Sequence, residues 1–126
     1  MGGASFSATG GAYASTSYVD TGDDVLAAGS QSGTTYTLVL ADAGNIVEMT
    51  NASANTVTIP TNATVAFPIG TVTEIFQYGA GQTTIAPAAG VTLRSAAGLK
   101  IAAIYGSASV RKRATDEWVV SGYTTT

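Results

Sequence analysis

The side chains able to do acid–base or nucleophilic work in this chain are few and poorly spaced for it. Asp23-Asp24 and Asp116-Glu117 are adjacent pairs, and in extended backbone neighbouring side chains diverge instead of converging on a substrate. A glycosidase needs two carboxylates facing each other across a bond. There is no His and no Cys, which removes the commonest general base, the commonest transition-metal ligand, thiol chemistry and disulfides. No hydroxyl stands beside a base, no Gly-rich loop leads into a Lys-bearing helix, and no oxygen-rich calcium loop occurs. Asn51-Ala52-Ser53 and Asn62-Ala63-Thr64 match the glycosylation pattern and read as ordinary turns. The expectation is a protein that is not an enzyme and has no cofactor or metal.

What remains is contact chemistry. All five basic residues lie between Arg94 and Arg113, with Arg111, Lys112 and Arg113 consecutive, and every acid except Asp116 and Glu117 precedes them. Such a cluster suits docking to an acidic neighbour or to the acidic N-terminal half of another copy. The alternative is an edge strand blunted with charge against sheet-to-sheet pairing. A net charge of −3 and the shortness of the patch argue against nucleic acid as a partner.

Glu74 stands in the run 71–78. As a strand, that run puts Val72, Glu74, Phe76 and Tyr78 on one face and Thr71, Thr73, Ile75 and Gln77 on the other. The first face is the more apolar, so Glu74 is expected to need a partner there, from Arg94, Arg111 or Arg113, within the chain or across a subunit interface. The alternative is a strand end at which Glu74 reaches water. Trp118, with Val119 and Val120, reads as a closing strand whose indole plugs the core; the competing assignment is a sugar-binding platform.

The elements that must position these residues are short. Residues 1–33 are dominated by Gly, Ala, Ser and Thr and cannot by themselves bury enough apolar area to offset their ordering entropy. Phe6, Tyr13 and Tyr18 recur at intervals that let an extended arm set anchors into successive pockets, so this segment is expected to be an arm held by neighbours. A turn of helix is expected at 23–28, capped by Thr21 and ended by Gly29. From Thr34 onward the texture is β, with runs at 35–40, 46–50, 56–59, 65–67, 71–78, 83–85, 91–94, 99–105, 107–113 and 117–121. The turn chemistry of Asp42-Ala43-Gly44-Asn45 predicts a hairpin between the first two runs, and residues 114–116 predict one between the last two. The expected fold is all-β, an antiparallel β-sandwich or jelly-roll-like barrel over 34–126 with an extended N-terminal arm. An echo between Thr56-Val57-Thr58-Ile59-Pro60 and Thr83-Thr84-Ile85-Ala86-Pro87 reads as strand composition, not as a solenoid repeat.

A chain of 126 residues supports one domain. Its charged content of 10% is well under the roughly 25% usual in soluble domains. Neutral, hydroxyl-rich surfaces are poor at keeping monomers apart, which points to life inside an assembly. No basic segment precedes an apolar run, the first basic residue being Arg94. No leader and no membrane span are therefore expected, and the site of synthesis is read as a cytoplasm.

The segment from Tyr36 to Tyr123 resembles a β-rich domain of tailed-bacteriophage structural proteins, found in tail fibres and head-associated proteins. The likeness rests on NTVTIP (55–60), VAFPIGT (65–71), YGAGQTTIAP (78–87), GVTLRS (90–95) and DEWVVSG (116–122). The resemblance implies a non-enzymatic virion component, trimeric, with the major capsid protein or other virion proteins as partners. It transfers no functional residues. Two functions follow as expectations: a capsid decoration or cement protein on the head exterior, or a fibre or adhesin domain that binds host polysaccharide through exposed aromatics such as Trp118 or Tyr123.

Overall fold

The computed structural model describes residues 26–126. They form eleven strands: β1 (Ala28–Gln31), β2 (Thr35–Thr37), β3 (Ile46–Met49), β4 (Asn55–Ile59), β5 (Val72–Gln77), β6 (Thr83–Pro87), β7 (Thr92–Ser95), β8 (Lys100–Ile101), β9 (Ser107–Ala114), β10 (Glu117–Gly122) and β11 (Thr124–Thr125). The longer strands alternate inward and outward residues along β4, β5, β6, β9 and β10, the period-2 pattern of a sheet with one face on a core.

Two mixed sheets result. One has the order β1-β3-β5-β9-β10-β7 and the other β11-β8-β6-β4-β2. Through β6 the chain changes sheet at every strand, so β1, β3 and β5 stack in parallel in the first sheet and β2, β4 and β6 stack in parallel in the second. Parallel neighbours need a crossover connection; here the crossover is a strand of the opposite sheet with a loop on either side. The arrangement is solenoid-like. The later strands close it: β9 runs antiparallel to β5, and β8 antiparallel to β6. β10 returns along β9 as a hairpin, and β7 lies parallel to β10 at the sheet edge.

Between the sheets sit Leu38, Val57, Ile59, Ile75, Ile85 and Trp118, all buried, each contributing about 1.5–3 kcal/mol relative to exposure. A polar seam ties the coils together inside this core. The Thr83 hydroxyl donates to Asn55 Oδ1 at 2.6 Å, Asn55 Nδ2 donates to the carbonyls of Ser53 and Gly81, and the Thr83 N–H donates to Gln77 Oε1. At the opposite end the Tyr36 hydroxyl donates to Asp42 Oδ2 at 2.7 Å, and the Val39 N–H donates to the same oxygen. Burial, with the Asp42 hydrogen bond and charge, pushes the Tyr36 phenol up to about 12.

The all-β class agrees with the sequence expectation, but the antiparallel sandwich or jelly-roll does not. The hairpin expected between 35–40 and 46–50 is absent, because β2 and β3 lie in different sheets. Asp42-Ala43-Gly44-Asn45 does turn, with Gly44 at φ 74°, yet the turn hands the chain across the core instead of back along its own sheet. The β9–β10 hairpin forms as expected. The echo between 56–60 and 83–87 is structural after all: Thr56 pairs with Thr84, Val57 with Ile85 and Ile59 with Pro87. Residues 65–67 form no strand and 99–105 contribute only β8. Ala28 already belongs to β1. The boundary at 33/34 therefore divides the first coil, and a helical turn reaching Ala28 is excluded there.

Coil stacking brings backbone into contact at Gly81. A Cβ built there would lie 1.9 Å from the Ser53 carbonyl oxygen. Gly81→Ala is therefore expected to lower stability by about 1–3 kcal/mol or more, read as a lower denaturant midpoint with an unchanged slope.

Candidate functional site

The outward face of the first sheet is built by register. Val72, Arg111, Val119 and Arg94 form one row across β5, β9, β10 and β7. Ile46, Glu74, Ser109 and Ser121 form the next. Glu74 is thus on the face opposite to the core: Thr73, Ile75 and Gln77 are the buried residues of β5. The expectation of a buried Glu74 fails because β5 turns Thr73, Ile75 and Gln77 inward, where the Thr73 hydroxyl donates to the Asp42 carbonyl and Gln77 Oε1 accepts from the Thr83 N–H, and leaves Val72, Phe76 and Tyr78 outside. Among the described residues Glu74 forms no ion pair; those that form are Arg94–Glu117 and Arg113–Glu117.

The basic cluster does not act as one patch. Arg94 Nε and Arg113 Nη1 each donate to a different oxygen of Glu117, at 2.9 Å and 3.0 Å. The Arg94 hydrogen bond, reinforced by Arg113, holds the Glu117 carboxyl below its ordinary value. Arg111 is exposed on the outer row. Lys112 points the other way and is only 2% exposed, so it is not a surface contact. Its Nζ donates to Asn62 Oδ1 and to the Phe67 carbonyl. Trp118 is 1% exposed and packs edge-to-face on Phe67 with centroids 5.5 Å apart. Its indole is core, and no sugar can stack on it. Phe6, Tyr13 and Tyr18 lie outside the described residues.

The exposed feature that reasoning from the sequence missed lies at one end of the stack. Strand direction collects there the loops 31–35, 50–54, 78–82 and 102–106, together with Tyr123. None of those loops carries a charged residue. Tyr78, Tyr105 and Tyr123 are 56%, 64% and 62% exposed. Tyr105 packs on Tyr78 with centroids 6.0 Å apart, and Tyr78 lies beside Phe76 at 6.4 Å. Tyr105 takes φ 67°, a left-handed conformation that costs a bulky residue about 1–2 kcal/mol, and its N–H donates to the Gln77 carbonyl at 2.7 Å. The opposite end carries Asp42, Arg111, Arg113, Asp116 and Glu117, with exposed Val39, Leu40 and Ile69. The available signal was the recurrence of charge-free Gly/Ser/Asn/Tyr turns at alternate connections, visible only once the alternation between sheets is known.

The Glu117 clamp has a defined pH dependence. A lowered folded-state value means that its contribution is complete above the ordinary carboxyl value and is lost as pH falls through the folded one. Protein and Glu117→Gln are expected to differ in urea midpoint at neutral pH and to converge as the pH is lowered past the usual carboxylate range.

Family models, curated proteins and solved structures give no match to this chain.

Proposed function

We propose that the chain is a non-enzymatic structural protein of a tailed-bacteriophage particle: a decoration or cement protein that binds the outside of the head shell, assembles as a homotrimer and stabilises the lattice. Made in the host cytoplasm, it has the major capsid protein or other virion proteins as partners, not nucleic acid or membrane. The resemblance in sequence motifs supports the class. The observation that carries the binding role is the end with charge-free loops and three exposed tyrosines.

Tyrosine supplies broad, stiff contact area with a polar tip and little entropy to lose, and Ser, Gly and Asn supply adaptable hydrogen bonds. With no charge in these loops, docking requires no ion to be stripped of water. The charged end stays solvated. Tyr78 and Tyr105 also favour a second reading, a fibre or adhesin domain, because exposed rings of this kind stack on the apolar faces of sugars.

Purified protein added to head shells that lack it is expected to bind saturably at lattice stoichiometry. Tyr78→Ser combined with Tyr123→Ser is expected to weaken that binding about tenfold or more, the scale of an interface anchor. Unchanged binding by the double variant removes this end from the interface. Saturable binding to host polysaccharide with none to shells replaces the decoration reading by the second one.

A further inference from the structure

Lys112 is the one buried amine on the first sheet, and its surroundings hold it against a side-chain amide. Alternation along β9 turns Val110 and Lys112 inward, and Trp118 stands directly opposite Lys112 on β10. The loop between β4 and β5 folds over the amine. Nζ meets two oxygens, Phe67 O at 2.7 Å and Asn62 Oδ1 at 2.5 Å. It forms no ion pair among the described residues, and an ammonium has three N–H positions to satisfy.

The Asn62 contact is shorter than the usual range of about 2.7–3.2 Å for N–H···O. A carbonyl bond of about 1.23 Å then puts Nζ no more than about 3.7 Å from the Asn62 amide carbon, close to the 3–3.5 Å separation of reacting atoms in a near-attack arrangement. The partners are held in place from both sides. The Asn62 N–H donates to Asp116 Oδ1 at 2.7 Å, and the Phe67 carbonyl fixes the amine while the Phe67–Trp118 ring pair packs alongside.

We infer that Lys112 and Asn62 form an intramolecular isopeptide bond. Nζ attacks the Asn62 side-chain carbonyl carbon, a new N–C bond forms, and the C–Nδ2 bond breaks. Two protons of the Lys112 ammonium pass to the departing nitrogen, so lysine ammonium plus asparagine amide gives a secondary amide plus an ammonium ion, a net loss of one ammonia from the chain. No oxidant, reductant or co-reactant is required. The bond ties β9 to the β4–β5 loop and closes the charged end of the stack covalently, a device suited to a protein without cysteine. This inference is independent of the virion reading.

The test is the intact mass of the full chain under denaturing conditions, followed by tandem mass spectrometry of a digest. The expected result is a mass one ammonia below that of the sequence, a branched peptide joining Asn62 to Lys112, and no protease cleavage after Lys112. Lys112→Arg should have its full sequence mass, and Asn62→Asp should lose one water instead of ammonia. Full mass and normal cleavage after Lys112 in the unaltered protein overturn the inference and leave a hydrogen bond only. An ammonia deficit that persists in Lys112→Arg overturns it as well, because the loss then arises elsewhere.

Discussion

The parallel register between successive coils is the constraint on which the rest of this structure depends. Asn55 pairs with Thr83 in one sheet and Ile46 with Glu74 in the other, the same offset of 28 residues on both sides of the core. Equal offsets let the β3–β4 coil and the β5–β6 coil stack as one unit. A slip of one residue in either sheet would turn that sheet's apolar residues to solvent. The buried Asn55 makes slippage costly in a second way, since its amide serves the Ser53 and Gly81 carbonyls and accepts from Thr83. Moving it would strand several buried polar groups at about 1–3 kcal/mol each. Apolar packing supplies most of the stability, and this seam selects the pairing.

The stack also decides which residues are available to partners. Because the chain crosses between sheets at every strand through β6, alternate connections collect at the same end. Turns far apart in sequence become one surface. That is how Tyr78, Tyr105 and Tyr123 come together without sequence proximity, and how Asp42, Arg113 and Glu117 are gathered at the other end. Charge among the described residues is therefore unevenly distributed: the loops of one end carry none, although Glu48 pairs with Phe76 on the sheet beside them, and the other end holds an ion clamp and a buried lysine. The binding role proposed for the first end and the covalent tie inferred at the second both draw on that division.

Much of the strand content was legible in the sequence, because Thr/Val/Ile alternation bounded by Gly and Pro marks β4, β5, β6 and β10 whatever they pair with. Pairing was not. The Asp42–Asn45 turn has hairpin chemistry, and nothing local distinguishes a turn back along one sheet from a turn across the core. The 56–60 and 83–87 echo was the one direct sign of parallel stacking, and its shortness made it look like shared composition. The burial of β5 was misjudged for a related reason. Thr73 and Gln77 look like surface residues until the fold brings the Asp42 carbonyl to the Thr73 hydroxyl and the Thr83 N–H to the Gln77 amide oxygen. Lys112 was grouped with Arg111 and Arg113 by adjacency, whereas strand alternation sends it to the opposite face.

A paired-cysteine experiment tests the stack most directly, in a chain with no native cysteine. Thr56 and Thr84 are register partners on neighbouring parallel strands, and such Cα pairs fall within the roughly 4.4–6.8 Å that a disulfide spans. Thr56→Cys combined with Thr84→Cys is predicted to oxidise rapidly and completely to an intramolecular disulfide in the folded protein, while Thr58→Cys combined with Thr84→Cys lags behind it. Preferential closure of the second pair, or closure of neither, would contradict the parallel register and the two-ended surface built on it.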